Sequence, residues 1–153
     1  MSGSNEIANN KKARHDFHIL EEFECGIQLR GTEVKSIREG RVNIRDSFGR
    51  VENEEVILYG VDIQPYERAS YEQHASKRPR KLLLNRKEIR KLIGLTAERG
   101  CTLVALKLYW KKHLVKVLLG VAKGKAVHDK RHDLKKRVEN REAQREMARF
   151  NRK

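Results

Sequence analysis

Residues 102–110 and 114–122 are two β-rich runs separated only by Lys111-Lys112-His113. Three residues cannot hold a helical crossover, so the runs must be joined as an antiparallel hairpin. Upstream, β-type alternation recurs over residues 15–30, which carry Phe17, Ile19, Phe23, Ile27 and Leu29, and again over residues 43–63, where 56–61 reads as a buried strand. Gly26 suggests a bend in the first stretch, while Gly49 and Asn53-Glu54 are turn candidates in the second. Residues 31–40 read as a two-turn helix with Thr32 as N-cap, Val34 and Ile37 on one side, and Gly40 as its end. Asn85 followed three residues later by Glu88 is a capping box, and Ile89, Leu92 and Ile93 supply an apolar stripe, so a helix is expected over residues 86–99 with Gly100 as its stop.

Between these elements, residues 64–80 hold Pro65, Pro79, His74, Tyr66, Tyr71 and four basic residues, a loop long enough to be functional or mobile. No helix falls at the spacing that a parallel sheet requires. The expected fold is therefore mainly β with helices (β+α): a small OB-like antiparallel β-barrel with two to three flanking helices and a basic C-terminal tail. Residues 1–13 are polar and small and are expected to be a flexible N-terminal segment, with the barrel over 14–125 and the tail over 126–153. At 153 residues, one domain with appendages is the natural size.

Charge points to the partner. The chain carries +14 at neutral pH, and residues 123–153 hold twelve Lys and Arg against five acids, a net +7, or half of that charge. Along a helix, Leu134 and Val138 of this segment fall on one side and Ala143, Met147 and Phe150 nearly opposite, so no single stripe exists to bury. Two readings stand: a solvated basic tail, or a helix that forms on RNA or in a ribosomal channel, where phosphate contacts offset its ordering. A membrane is the rival polyanion, but the chain lacks an apolar run of about 18 residues and the tail's split faces make a poor interfacial helix. The N-terminus has no apolar stretch of the kind a secretory signal needs, so a cytoplasmic location is expected. Cys25 and Cys101 are expected to be buried free thiols.

Enzyme readings are weak. His128 and His132 are spaced i, i+4 as zinc ligands can be, which raises a metal-dependent nuclease, yet Lys130 and Arg131 beside them repel a cation and no third ligand is evident. There is no Gly-rich phosphate loop before a helix and no activated Ser or Cys signature. Neither a metal, a cofactor nor catalysis is expected.

A set of motifs runs through the chain in one order. These are Asn10-Lys11-Lys12-Ala13-Arg14-His15-Asp16, Gly31-Thr32-Glu33-Val34-Lys35-Ser36, Asp46-Ser47, Arg80-Lys81-Leu82-Leu83-Leu84, Leu106-Lys107-Leu108-Tyr109-Trp110-Lys111, and Gly120-Val121-Ala122-Lys123-Gly124-Lys125 leading to His128-Asp129-Lys130-Arg131. Over nearly the whole chain this set resembles the SmpB family, the SsrA-binding proteins that partner transfer-messenger RNA (tmRNA) in bacterial trans-translation. A departure is Ala126-Val127, where relatives often place more polar or basic residues.

The resemblance implies an OB-type barrel that grips the tRNA-like domain of transfer-messenger RNA near its D-loop. It also implies a tail that enters the small-subunit decoding centre and empty messenger channel of a stalled ribosome, where protein and RNA together imitate a tRNA. A monomer is expected. Glu24, Leu83 and Lys116 match family positions implicated in RNA binding, and Lys11, Lys12, Arg14 and Lys35 in the flanking motifs complete the expected contacts. The tail contacts would be Gly124, His128, Asp129, Lys130, Arg131, Lys135, Lys136 and Arg137, with His128 stacking on a base. The alternative is a general OB-type, ribosome-associated RNA-binding factor.

The residues themselves leave several roles open. Lys116 lies between Val115 and Val117 and so takes the outer face, where it meets phosphate or solvent. Glu24 cannot attract phosphate; it either pairs with a cation or accepts from base and ribose donors. Leu83, inside a Leu triplet, reads as core unless RNA covers it. Tyr66, Tyr71, Tyr109 and Trp110 can stack on bases, though Tyr109 and Trp110 fit hairpin packing equally well.

Overall fold

The computed structural model describes residues 5–66, 74–98 and 100–125. Among them the order is β1 (Glu6–Asn9), α1 (Lys11–Asp16), β2 (Phe17–Ile27), α2 (Gly31–Arg38), β3 (Val42–Asn43), β4 (Phe48–Glu52), β5 (Glu55–Tyr59), β6 (Asp62–Ile63), β7 (Arg80–Leu83), α3 (Arg86–Thr96), β8 (Cys101–Lys111) and β9 (Leu114–Gly124). The chain divides into two compact units, Met1–Lys123 and Gly124–Lys153. The expected tail helix, with His128 to Arg131 and Lys135 to Arg137, lies outside the described residues, as does Tyr71.

Seven strands form one sheet in the order β1-β8-β4-β5-β7-β2-β9. The hairpin partners β8 and β9 also pair with each other, which closes β8-β4-β5-β7-β2-β9 into a ring with β1 added outside it on β8. This is the antiparallel barrel expected from the strand pattern, and closure removes most sheet edges. Its interior is filled by alternate residues of each strand, including Cys25, Val56, Leu58, Leu82, Leu103, Leu108, Val117, Leu119 and Val121, with Leu92 of α3 closing one side. A short second sheet pairs β3 with β6.

Local chemistry accounts for the turns. Asn53 and Glu54 both have positive φ, 49° and 62°, the backbone of a two-residue hairpin turn joining β4 to β5. Gly49 is not a turn residue as expected. It sits inside β4 opposite Leu103, and a Cβ there would stand 3.0 Å from the Leu103 Cβ, so this glycine permits close strand approach. Gly60 has φ +80°, and a Cβ on it would meet the Asp46 carbonyl oxygen at 2.7 Å. Only glycine fits that crossing.

Residues 6–13 of the N-terminal segment carry regular structure. Ile7 and Ala8 of β1 pack against the barrel core, and α1 begins at Lys11. The anchor is Asn10, 1% exposed, whose side-chain oxygen accepts from the Ala13 N–H at 3.1 Å while its amide donates to the carbonyls of Ala105 at 2.9 Å and Ile44 at 3.2 Å. The bond to Ala105 falls where the β8–β9 register slips between Ala105 and Lys107, and there the backbone N–H of Asn10 also takes the Leu106 carbonyl at 2.8 Å.

The two internal helices are capped differently. In α3 the Asn85 side chain accepts from the Glu88 N–H at 2.9 Å and Glu88 accepts from that of Asn85 at 3.2 Å, the reciprocal box read from sequence. The helix ends at Thr96, three residues short of expectation, where the Thr96 hydroxyl turns back to the Leu92 carbonyl at 2.7 Å. In α2 the expected N-cap, Thr32, lies one residue inside the helix. Glu33 instead reaches back to the Arg30 N–H at 2.7 Å, and the Thr32 hydroxyl bonds His74 Nδ1 at 2.9 Å. His74 Nε2 faces the carbonyls of Ile63 and Gln64 at 2.9 and 3.1 Å and must donate to them, so the ring is held between α2 and the segment after β6.

Candidate nucleic-acid interface

Alternation along β2 buries Phe23 and Cys25 and turns His18, Leu20, Glu22 and Glu24 outward. Gly26, two residues beyond Glu24, shares that outer face and pairs directly with Leu83. A Cβ on Gly26 would be 3.1 Å from the Leu83 Cβ, so Leu83 lies over the gap left by this glycine. Leu83 is 50% exposed whereas Leu82 is 1% exposed. The core reading of Leu83 therefore fails, because a short strand lets only alternate members of the Leu triplet turn inward.

Lys116 lies between buried Val115 and Val117 and pairs with Tyr109 across the hairpin. The Lys111 ammonium bonds the Glu24 carboxylate at 2.9 Å, and the Tyr109 hydroxyl lies near enough to act on the same carboxyl. Lys111 first, then Tyr109, hold the Glu24 carboxyl below the ordinary glutamate range, and the nearby charge of Lys116 acts in the same direction. Burial and the Glu24 carboxylate raise the Tyr109 hydroxyl. Glu24, Leu83 and Lys116 thus share the outer face of β7, β2 and the hairpin. Arg14 joins them from α1 through its bond to Glu22 at 3.4 Å.

Sequence reasoning missed two members, Lys107 and Lys111. Lys107 holds its ammonium 5.7 Å from the Tyr109 ring centroid. The signal was available: Lys107-Leu108-Tyr109-Trp110-Lys111 alternates, and period two puts both lysines on the side of the tyrosine. The face offers ammonium groups for phosphate, one fixed carboxylate for base or ribose donors, and an exposed apolar side chain for a base.

The remaining expected contacts lie elsewhere. Lys11 and Lys12, both exposed, line an open groove of about 590 Å³ with Asn10, His15, Asn43 and Arg45. Lys12 also pairs with Asp46 at 3.2 Å. Lys35, on α2, stands 5.4 Å from the Tyr66 ring centroid and belongs to neither group. Gly124 ends β9 and is exposed.

A buried ionic cluster sets the start of β7. The Glu33 carboxylate accepts from Arg78 Nε at 3.2 Å and Nη2, and from Arg80 Nε at 2.6 Å. Burial pushes its carboxyl up, but the bonds from Arg78, the Arg30 N–H and Arg80 outweigh this and hold it below the ordinary range. Arg80 also donates to the carbonyls of Val61 at 2.7 Å and Ser76 at 3.0 Å.

Among the described residues no group of three His, Cys, Asp or Glu could hold a metal ion, and no helix is long and apolar enough to cross a membrane. Both cysteines are free; Cys25 is buried, which pushes its thiol up to about 12, while Cys101 is only half-buried at the start of β8.

The sequence profile of a family described as "SmpB protein" matches residues 7–149. The SsrA-binding protein of Carboxydothermus hydrogenoformans is 57% identical over 136 residues, covering 89% of this chain and 91% of that protein. The SsrA-binding protein of Geobacillus thermodenitrificans is 57% identical over 143 residues, 94% of this chain and 90% of its own length. A solved structure described as "tmRNA-SmpB: a journey to the center of the bacterial ribosome" superposes with a TM-score of 0.67 at 45% identity, covering 83% of this chain and 93% of its own.

Proposed function

Because this chain belongs to the SmpB protein family, we propose that it binds transfer-messenger RNA and delivers it to stalled ribosomes for trans-translation, standing in for the missing anticodon arm of a tRNA. The observation that carries the barrel's part is the outer face on which Glu24, Leu83 and Lys116 lie together. Phosphate contacts from Lys111, Lys116 and Lys107 supply affinity, while the fixed Glu24 carboxylate and the Leu83 side chain select the shape of an RNA loop. The groove of Lys11 and Lys12 offers a second set of phosphate contacts, with Lys35 beside Tyr66 as a third.

The basic tail is the ribosome-facing part, entering the decoding centre through Gly124, His128, Asp129, Lys130 and Arg131 and following the empty messenger channel with Lys135, Lys136 and Arg137. It folds where no messenger occupies the channel, so occupancy is what it senses. This role requires carriage and mimicry, with no catalytic step, and places the protein in the cytoplasm with the ribosome.

Deleting residues 129–153 separates the two parts. Binding to transfer-messenger RNA should stay near normal while peptide tagging on stalled ribosomes is lost. Equal loss of both would overturn the division of labour.

A further inference from the structure

Ile93 belongs to the apolar stripe of α3, yet it is 43% exposed, and the helix meets the core through Leu92, fully buried beside it, with Ile89 and Leu95 partly buried against it. Ile93 and Leu83 line one cavity of about 520 Å³ between α3 and β7, with Ile89 and Leu84 as half-buried parts of its lining. Its size lies in the range of sites that enclose a small organic group. Two of the five large apolar side chains exposed among the described residues are thus gathered in one place, which scattered surface leucines do not require.

The rim decides what kind of group it takes. Lys81, Arg86 and Arg90 line the cavity against Glu54 and Glu55. Lys81 and Glu55 neutralise each other at 3.3 Å, leaving two guanidinium groups one helical turn apart facing a single acid. A net positive rim around an aliphatic floor complements a base with its flanking phosphates better than it complements an apolar peptide. Continuity points the same way, because Leu83 faces both this cavity and the gap over Gly26 that leads to Glu24.

We propose that the groove between β7 and α3 receives one unstacked nucleobase of the bound transfer-messenger RNA, held between Leu83 and Ile93, with its flanking phosphates on Arg86 and Arg90. Asn53 and Glu54, in the β4–β5 turn at the cavity edge, are the polar groups placed to meet the base edge. The inference rests on the reading of the Leu83 face as RNA-binding and extends that surface onto α3.

The test uses the full-length protein and transfer-messenger RNA across a range of salt. Ile93→Gln should weaken binding about tenfold with the salt slope unchanged. The double variant Arg86→Gln, Arg90→Gln should weaken binding and reduce the slope of log affinity against log salt by about 0.7 for each phosphate released. With Ile93 replaced by p-benzoylphenylalanine, irradiation of the complex should crosslink one dominant unpaired nucleotide. Lys116→Ala is the reference: if it weakens binding while Ile93→Gln binds as wild type, the groove proposal falls and the function stands. If neither change has an effect, the assignment of the barrel face falls with it. A crosslink spread over many nucleotides, or none to the RNA, also overturns the proposal. Ile93 is half in solvent, so an unchanged thermal midpoint is expected for Ile93→Gln and separates lost binding from lost folding.

Discussion

Arg80 Nε donates to the Glu33 carboxylate at 2.6 Å, and neither side chain has any solvent exposure. The pair ties α2 to the first residue of β7 across 47 positions of sequence. Removing one charge strands the other in the interior. Glu33→Gln keeps the shape but removes the charge that Arg78 and Arg80 share, leaving one amide oxygen beside the Val61 and Ser76 carbonyls to meet the buried guanidinium, and it should cost about 3–5 kcal/mol. Denaturant midpoints of the two proteins measure this; a loss under about 1 kcal/mol would mean that the carbonyls alone suffice for the guanidinium.

The same carboxylate predicts an acid response. Its folded-state pKa is depressed below the ordinary 4.5, so in the interval between the two values the unfolded chain binds the extra proton. The stabilisation is complete above the ordinary glutamate range and disappears as pH falls through the folded value. Thermal midpoints of wild type and Glu33→Gln should therefore converge on acidification from about pH 5 downward. A constant gap between them would show that the carboxyl titrates normally.

What the sequence made legible was local. The β8–β9 hairpin followed from two β-rich runs with three residues between them, and the α3 cap from Asn85 and Glu88. What it hid depended on distant partners. Asn10 anchors β1 and α1 through carbonyls 34 and 95 residues away, so a polar N-terminus looked unanchored. Glu33 is a buried ion because Arg78 and Arg80 come to it, and nothing in residues 31–40 announces that. At the candidate site, Lys116 was placed correctly by its flanking valines, whereas the exposure of Leu83 was decided by the register of β7 against β2.

Lys111 and Lys116 should behave as phosphate contacts. Each change to Ala is expected to weaken RNA binding and to flatten its salt dependence by about 0.7–0.9 in the slope of log affinity against log salt. Glu24→Gln should leave that slope unchanged, since a carboxylate neutralises no phosphate. Binding isotherms at several salt concentrations distinguish the cases, and a Lys116 variant with an unaltered slope would remove that residue from the backbone contacts.

Leu83→Ala separates recognition from stability. A side chain 50% exposed contributes little to the barrel, so the folded state should lose no more than about 1 kcal/mol. RNA affinity should fall about fivefold or more if the side chain is covered in the complex. Chemical denaturation and RNA binding on the same preparation provide both numbers; a stability loss as large as that of a core leucine, about 2–5 kcal/mol, would return Leu83 to the interior.

One substitution type should give opposite signs at two glycines. Gly120 in β9 is buried, and a Cβ there would stand 2.7 Å from Leu106 Cδ1 and 3.1 Å from its Cγ. Leu106 cannot retreat outward easily, being fully buried with Ala13, Val104 and Ala122 beneath α1, at the register slip that Asn10 reads. Gly120→Ala should therefore overpack that cluster and cost about 1–3 kcal/mol, loosening α1 along with the strand. Gly94 is a helical residue of α3 with nothing within 4 Å of its would-be Cβ. Gly94→Ala removes backbone freedom from the unfolded chain without a clash and should stabilise by about 0.5–1 kcal/mol. Hydrogen exchange at α1 amides distinguishes the two routes: it should speed up in Gly120→Ala and stay unchanged in Gly94→Ala. Equal effects on α1 from both would mean that Leu106 does not transmit the overpacking.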